Sequence, residues 1–598
     1  MKQFSFEKVD LCGGFLYGKQ KLNRDVTIHA VYDRFYETGR VGAFNFDYKE
    51  GDEIKPHIFW DSDVAKWIES AAYIIRKDCS PALEAKIDAL VEKIEKNQGA
   101  DGYFNIYYTV CAPSERWSNR DKHELYCAGH LMEAAVAYAE ATGKTALLDC
   151  MEKYADYIAR VFVEEKSAAF ATPGHEEIEL ALVRMYRHTG KKKFLDLALY
   201  FINTRGTEAD VERNPYNQSH APVREQTEAV GHAVRAMYLY TGMAYLAAET
   251  GDETLKAACK TLWDDVTRRK MYVTGGIGST SVGEAFSSAY DLPNDTAYTE
   301  TCAAIGLVFF AQAMLALEND ARYADVIERA LYNGILSGLS LDGASFFYEN
   351  PLEINFLEHI PETKYGKRKF PITQRVKCFR CSCCPPNVTR LLATLGGYVF
   401  GMEGDTLYLN QYADSTLSDG GVTCTVKTEY PLCGTVNVTA SGAKRIALRI
   451  PSWCTAFTLS KPYTVENGYA VVENDGTPVT LALDMTPHAV YPTAKLLRDA
   501  HQIAVVRGPI VYCAEAVDNG ADLHAVRVPA DFKAEERFNE DFGLPVLTLD
   551  AVRTLPLDDG ALYANSAPDT APTRLTLIPY HAFANRGDSD MRVWLYAL

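Results

Sequence analysis

Three times in the first half of the chain one pattern recurs. An alanine-rich helical stretch ends in Thr-Gly, one polar residue follows, and a second apolar-periodic stretch begins. It is read at Glu140-Ala-Thr-Gly143-Lys before Leu147-Leu-Asp-Cys-Met, at Arg187-His-Thr-Gly190-Lys before Phe194-Leu-Asp-Leu-Ala, and at Glu249-Thr-Gly251-Asp before Leu255-Lys-Ala-Ala-Cys. A degenerate fourth copy is Glu318-Asn-Asp-Ala-Arg-Tyr-Ala. The glycine serves as a helix C-cap, where the left-handed conformation costs it little. A unit of about 47–68 residues holding two helices predicts an array of helical hairpins. Such an array is either an open solenoid or a closed (α/α)6 toroid, and periodicity alone does not separate them.

The array has limits. Apolar spacing of 3 and 4 begins near Asp61-Ser-Asp-Val-Ala-Lys-Trp-Ile, and a helical domain is expected over 56–402. Before it, Phe15-Leu-Tyr and Val26-Thr-Ile-His-Ala-Val-Tyr predict short strands within 1–55, packing on the barrel or on the C-terminal sandwich. After about residue 403 alternation takes over, as in Val422-Thr-Cys-Thr-Val-Lys-Thr and Val436-Asn-Val-Thr-Ala. This predicts a β-sandwich over 403–520, with 521–598 a second sandwich or the completion of the first. The fold class is therefore α+β and multidomain.

The 598 residues hold 61 Lys+Arg against 79 Asp+Glu, a formal charge of −18. That acidity argues against a nucleic-acid partner. The first residues, Met1-Lys-Gln-Phe-Ser-Phe-Glu-Lys, have no apolar core of signal-peptide length. The longest apolar run, Ala303 to Leu317, is interrupted by Gln312 and falls short of a membrane span. The expectation is a cytoplasmic chain with no membrane partner, and a homodimer is compatible with it. Fifteen cysteines is an odd number, so disulfides cannot pair them all. In a reducing compartment, clustered cysteines point to metal binding or chemistry.

They are clustered. Cys378-Phe-Arg-Cys381-Ser-Cys383-Cys384-Pro-Pro-Asn387 places four thiols in seven residues. Thiolates select zinc or an iron–sulfur cluster, and zinc takes four ligands in a tetrahedron. Cys383-Cys384 cannot close a tetrahedron alone. Glu300-Thr-Cys302, on an expected helix start, could supply the rest as a Cys3Glu site. Cys378 and Cys381 could equally be the ligands as Cys-x2-Cys, and buried free cysteines acting as small hydrophobes are the structural alternative.

Two other features belong with this cluster. The segment Gly283-Glu284 to Glu300 is acidic, irregular and placed between helices, where a toroid's mouth loops would lie; a solvated loop is the alternative. Three Gly-His pairs, ending in His130, His175 and His232, are each expected to begin or enter a helix of the repeat. In a ring such positions face one central cavity, where imidazoles suit sugar hydroxyls.

The chain resembles glycoside hydrolase family 127, the β-L-arabinofuranosidases, nearly end to end and in order. The likeness is carried by Lys66-Trp-Ile-Glu-Ser-Ala-Ala-Tyr, Asp101-Gly-Tyr-Phe-Asn, Gly129-His-Leu-Met-Glu, Gly174-His-Glu-Glu-Ile-Glu and Gly231-His-Ala-Val-Arg. It continues through Gly283-Glu-Ala-Phe, Tyr298-Thr-Glu-Thr-Cys-Ala and Cys383-Cys-Pro-Pro-Asn to Leu448-Arg-Ile-Pro-Ser-Trp-Cys and Arg507-Gly-Pro-Ile-Val-Tyr. The resemblance implies an (α/α)6-barrel catalytic domain followed by β-sandwich modules. It implies Zn2+ held by Glu300, Cys302, Cys383 and Cys384, a retaining mechanism with Cys383 as nucleophile, and Glu284 as acid/base. It further implies sugar contacts from His130, His175, His232, Glu328 and Tyr348. Where the family carries a Gln near the sugar this chain has Asp33, and residue 299 is Thr where Cys is common.

The reading is a retaining, exo-acting hydrolase that releases terminal β-L-arabinofuranose from oligosaccharides. Glu284's two roles predict a pKa lifted towards neutrality. Asp33 makes a branched or carboxylated furanose of pectin the alternative substrate. From other classes stand an (α/α)6 sugar epimerase using His175 and His232, and a non-catalytic sugar-binding protein with structural zinc.

Overall fold

The computed structural model describes residues 1–210, 212–356, 371–557 and 561–598. Its longer helices, in chain order, are α1 (Gly14–Leu22), α2 (Ile28–Glu37), α3 (Trp60–Lys77), α4 (Pro81–Asn97), α5 (Glu124–Thr142), α6 (Ala146–Ala159) and α7 (Ile178–Thr189). They continue as α8 (Lys192–Thr204), α9 (Ala233–Thr250), α10 (Glu253–Arg269), α11 (Thr301–Leu317), α12 (Ala321–Arg329) and α13 (Cys384–Ala393). Among the described residues, α3, α5, α7, α9, α11 and α13 each pack on the next, and α13 packs back on α3. The array is thus a closed ring. The inner helices are buried nearly all round: in α11, Thr301–Val308 and Phe310–Ala311 are all buried, as expected for a helix walled on every side. The outer layer is amphipathic, with α4, α6, α8, α10 and α12 each against an inner helix.

The sixth outer position is filled from the N-terminus. Helices α1 and α2 pack on α13, and α2 also on α3. This corrects the expectation of strands at Phe15–Tyr17 and Val26–Tyr32. The buried residues of α2 are Ile28, Val31 and Phe35, spacings of 3 and 4 that belong to a helix face. True strands occur only at Lys2–Gln3 and Val9–Gly13, and each joins one sheet of the following sandwich. The barrel therefore starts well before residue 56.

The repeated glycines do what the pattern implied. Gly143, Gly190 and Gly251 have φ of +73, +70 and +67° and cap α5, α7 and α9. Each makes a tight turn from an inner helix to its outer partner. In the degenerate copy Asp320 takes over by accepting a hydrogen bond from the Arg322 amide at the start of α12. The return connections, outer to inner, are long loops. All six inner helices consequently point their N-termini at the loop end of the barrel.

Two six-stranded sheets form the sandwich. Along Thr435–Ser441 the residues Val436, Val438 and Ala440 are buried and Asn437, Thr439 and Ser441 exposed, the period of a strand with one wet face. The sandwich ends with Val479–Leu483, and His488–Val490, Gln502–Arg507 and Ile510–Glu515 belong instead to a ten-stranded sheet shared with the C-terminal strands. The expected boundary at 520 thus falls near 486. Gln502–Arg507 and Ile510–Glu515 are buried on both faces, so their alternation carries no mark of which sheet they join. No described helix is long and apolar enough to cross a membrane.

Candidate active site

A cavity of about 250 Å³ lies where the inner helices begin, and every one of them contributes to it. From α3 and the residue before it come Phe59, Ser62 and Asp63, and from the start of α5 come His123 and Tyr126. His175 precedes α7, His232 caps α9, Glu300 caps α11 with Cys302 in its first turn, and Cys383 caps α13. Glu284 and Tyr348 reach in from the return loops. Six helix N-termini around one space favour negative charge there.

The close approach of these helix starts requires glycine. Gly231 has φ +72°, and a Cβ on it would lie 2.0 Å from the Pro215 carbonyl oxygen. A Cβ on Gly174 would lie 2.5 Å from the Arg120 carbonyl oxygen. Each glycine lets the following histidine turn into the cavity.

Four donors converge in the floor. Cys302 Sγ is 3.5 Å from Cys383 Sγ and 3.2 Å from Cys384 Sγ, and the Cys383 and Cys384 sulfurs are 3.7 Å apart. Glu300 Oε1 lies 3.6 Å from Cys383 Sγ and 3.8 Å from Cys384 Sγ. An ion bound tetrahedrally at about 2.3 Å from thiolates and about 2.0 Å from a carboxylate would set edges of about 3.8 and 3.5 Å. The donor set fits such an ion, and Glu300 Oε2 is buried without a hydrogen-bond partner. Cys378 and Cys381 are not among these donors.

The electrostatics single out one thiol. Burial raises Cys302, Cys384 and Glu300 above their ordinary pKa values. Cys383 is pushed the other way, by hydrogen bonds from the Cys302, Cys381 and Cys384 thiols, against burial and with help from the Lys66 ammonium. Lys66 is fully buried on α3 and donates to Tyr126 Oη at 2.8 Å. Tyr348 Oη lies 3.3 Å from Cys383 Sγ.

Glu284 sits across from this cluster. Its Oε2 is 3.0 Å from His232 Nε2, while the Val234 amide donates to His232 Nδ1 at 3.2 Å. The backbone therefore fixes the tautomer with the proton on Nε2. Burial lowers His232 below the usual histidine value, so the neutral ring donates to Glu284. Burial raises Glu284, but the hydrogen bonds from His232 and Tyr298, with the His232 charge interaction, together outweigh it and the net shift is downward. The expectation of a lifted pKa is thus reversed in the unliganded cavity, because a fixed donor favours the carboxylate.

A model described as the GH127 catalytic domain of β-L-arabinofuranosidase matches residues 8–397. The chain belongs to glycoside hydrolase family 127. The family's middle domain matches 406–485 and its C-terminal domain 487–596, in step with the change of sheet near 486. A non-reducing end β-L-arabinofuranosidase of Bifidobacterium longum subsp. longum is 38% identical over 597 residues, covering 91% of this chain and 90% of that one. The crystal structure of a GH127 β-L-arabinofuranosidase from Geobacillus stearothermophilus T6 superposes with a TM-score of 0.92 at 41% identity, covering 99% of this chain and 100% of that one. A second GH127 structure, a β-arabinofuranosidase, gives 0.91 at 35% identity, covering 100% of this chain and 98% of that one. The protein is thus a glycoside hydrolase.

Within this GH127 fold, Glu284, Glu300, Cys302, Cys383, His175, His232 and Tyr348 line one cavity, and Cys384 lies buried beneath it. Three expected residues do not. His130 lies within α5, not at its start, and is fully buried behind Tyr126, their rings 4.5 Å apart. Gly129 had suggested a boundary, but it marks a close contact, with the Ile178 amide 2.9 Å from where its Cβ would be. The cavity position on that helix belongs to His123. Glu328 sits on outer helix α12 and faces the sandwich, accepting from Tyr430 Oη at 2.5 Å, Arg449 at 2.6 Å and Trp453 Nε1 at 2.9 Å. Asp33 is exposed on α2, outside the cavity lining.

Sequence reasoning also missed Asp63, Tyr216 and Arg235. Asp63 Oδ2 pairs with Arg40 at 2.9 Å, while its Oδ1 is buried with no hydrogen-bond partner beside the cavity. The Asp61-Ser-Asp63 capping stretch was the available signal.

Proposed function

We propose that the protein is a cytoplasmic, zinc-dependent, retaining exo-hydrolase that releases terminal β-L-arabinofuranose from oligosaccharides. The observation that carries this is geometric: the Cys383 sulfur, packed against Cys302, Cys384 and Glu300, opens into the same cavity as the hydrogen-bonded carboxyl group of Glu284. Carboxylate oxygens of Glu300 lie within 4.8 Å both of the Cys383 sulfur and of a Glu284 oxygen, so the two groups flank one small space. The activity of the Bifidobacterium and Geobacillus relatives supports the sugar. A cavity closed below by helix ends suits a chain terminus, which supports exo action.

Glu300, Cys302, Cys383 and Cys384 would hold the zinc. Zinc bound there supplies charge that keeps coordinated thiols deprotonated. The remaining steps are the chain's own. His175, His232 and Tyr348 orient the furanose by its hydroxyls. The Cys383 thiolate attacks the anomeric carbon as Glu284 gives its proton to the leaving oxygen, and a thioglycoside forms as the glycosidic bond breaks. Glu284, now a carboxylate, takes a proton from water as that water attacks the same carbon. Sugar and thiolate are released with the configuration kept. The His232 hydrogen bond suits this second step, since it stabilises the ionised Glu284.

Asp33 lies away from the cavity, so it no longer argues for a different furanose. The test is hydrolysis of an aryl β-L-arabinofuranoside by wild type, Cys383→Ser and Glu284→Gln. The reading requires both variants to be severely impaired, and undiminished turnover by Cys383→Ser would remove the nucleophile.

A further inference from the structure

Two sequence motifs, Arg449-Ile-Pro-Ser-Trp453-Cys454 and Arg507-Gly-Pro-Ile-Val-Tyr512, find no use in the cavity above. They meet at a second cavity, of about 280 Å³, where α12, the sandwich and the ten-stranded sheet come together. It is at least as large as the cavity proposed to hold a furanose and close to the roughly 300 Å³ at which small-molecule sites begin.

Its polar groups divide into committed and uncommitted. Glu328 is consumed by Tyr430, Arg449 and Trp453, and Asp325 pairs with Arg449. Arg329 is different. It lines the same cavity, is half-buried, and its guanidinium makes no hydrogen bond or ion pair among the described residues. Burial pulls its pKa below the usual arginine value, with the Asp325 and Glu328 charges only partly opposing. With the neighbouring Asp325 and Glu328 carboxylates committed to Arg449, a guanidinium in that state is a fork of donors without a hydrogen-bonded anion.

The surroundings define the rest of the ligand. The half-buried Trp453 ring and valine side chains make an apolar wall. The exposed Thr455 offers a hydroxyl, Ser452 offers an oxygen that can accept while its proton goes to Asp325, and His488 stands on the edge strand of the ten-stranded sheet. Its Nδ1 is engaged with the Thr486 carbonyl at 3.1 Å.

We propose that this three-domain cleft is a second carbohydrate site that takes a hexuronic acid unit, with the carboxylate on Arg329, the C–H face on Trp453 and hydroxyls on Ser452, Thr455 and His488. The site stands independently of the proposed reaction, since none of its residues lines the catalytic cavity. Binding there would hold an acidic oligosaccharide on the enzyme away from the scissile end.

The experiment is calorimetric titration of the zinc-loaded protein with D-galacturonate, D-galactose and inorganic phosphate. Galacturonate is expected to bind at least about tenfold more tightly than galactose, the worth of a charge-assisted bidentate contact. Arg329→Gln should erase that difference while kcat/KM on the aryl arabinofuranoside stays within about twofold. Thr455→Trp, on an exposed loop, should block the mouth and give the same loss if Arg329→Gln folds poorly. Equal binding of galactose and galacturonate, phosphate binding as tightly as galacturonate, no binding, or full galacturonate affinity in both variants would each overturn the proposal.

Discussion

The barrel has a cavity at each end of its axis, similar in volume and opposite in character. The loop end holds about 250 Å³ and is ringed by the starts of the inner helices. The tight-turn end holds about 240 Å³ and is lined by Glu69, Glu133, Arg184 and Arg390 from the helices' interiors. At the tight-turn end the charges satisfy each other. Glu69 accepts from Tyr73 at 2.6 Å, Arg184 at 2.7 Å and Arg390 at 3.0 Å, and Glu133 accepts from Arg390 at 2.8 Å and from Arg184. At the loop end Asp63 Oδ1 and Glu300 Oε2 have no partner, and three thiols crowd one carboxylate. Pairing marks a plug that stabilises the ring. Unmet donors and acceptors mark a place that awaits a ligand.

The largest effect expected from that contrast is at the loop end. Cys383→Ala should lower kcat by about 10⁴-fold or more, the scale of removing a nucleophile. Glu133→Gln should leave turnover per folded molecule unchanged. Chelation comes next. Stripping the metal at neutral pH should abolish activity and lower the thermal midpoint, because Cys302, Cys383 and Cys384 lie packed on one another. Activity that survives complete metal removal would break the assignment of those ligands.

At the other end Glu133→Gln should cost stability, by about 1–3 kcal/mol, since it removes one of the two carboxylates that pair with the buried Arg390 and the part-buried Arg184. Thermal unfolding checks this. A drop in kcat without a fall in midpoint would make the tight-turn end part of the catalytic machinery.

A pH profile sharpens the role of His232. Its hydrogen bond is the largest of the contributions that hold Glu284 below the usual glutamate value against burial. In the proposed mechanism the first half-reaction needs Glu284 protonated, so kcat/KM should fall as pH rises through that pKa. His232→Phe removes the donor, the carboxylate loses support, and the descending limb should move to higher pH. A limb that stays in place would separate Glu284 from the limb. The smallest effect is Asp33→Gln, which should leave kcat/KM unchanged, because Asp33 is exposed on α2 outside the cavity.

The contrast also explains what the sequence could reveal. Gly143, Gly190 and Gly251 were legible because a tight turn needs φ > 0 and leaves a residue-type mark. Cys383 and Cys384 stood out because four thiols fall in seven residues, but spacing left Cys378 and Cys381 equally open, and it was the resemblance that pointed to Glu300 and Cys302. The N-terminal helices were not, since their apolar residues are few and the partner surface, α13, lies over 300 residues away. His123 and Asp63 reach the cavity only through the convergence of helix starts, which no local pattern records. His130 and Glu328 carried the right residue types but sit one layer too deep and on the outer ring. The resemblance named a family's contacts, and only packing shows which side chains here can make them.

The central claim is that Cys383 attacks the sugar. The direct measurement is mass spectrometry of the zinc-loaded protein, acid-quenched during turnover of an activated aryl β-L-arabinofuranoside and digested. The account predicts one pentosyl residue added to the peptide that carries Cys383, absent in Cys383→Ser. A pentosyl adduct on Glu284 or Glu300 with Cys383 unmodified would contradict it.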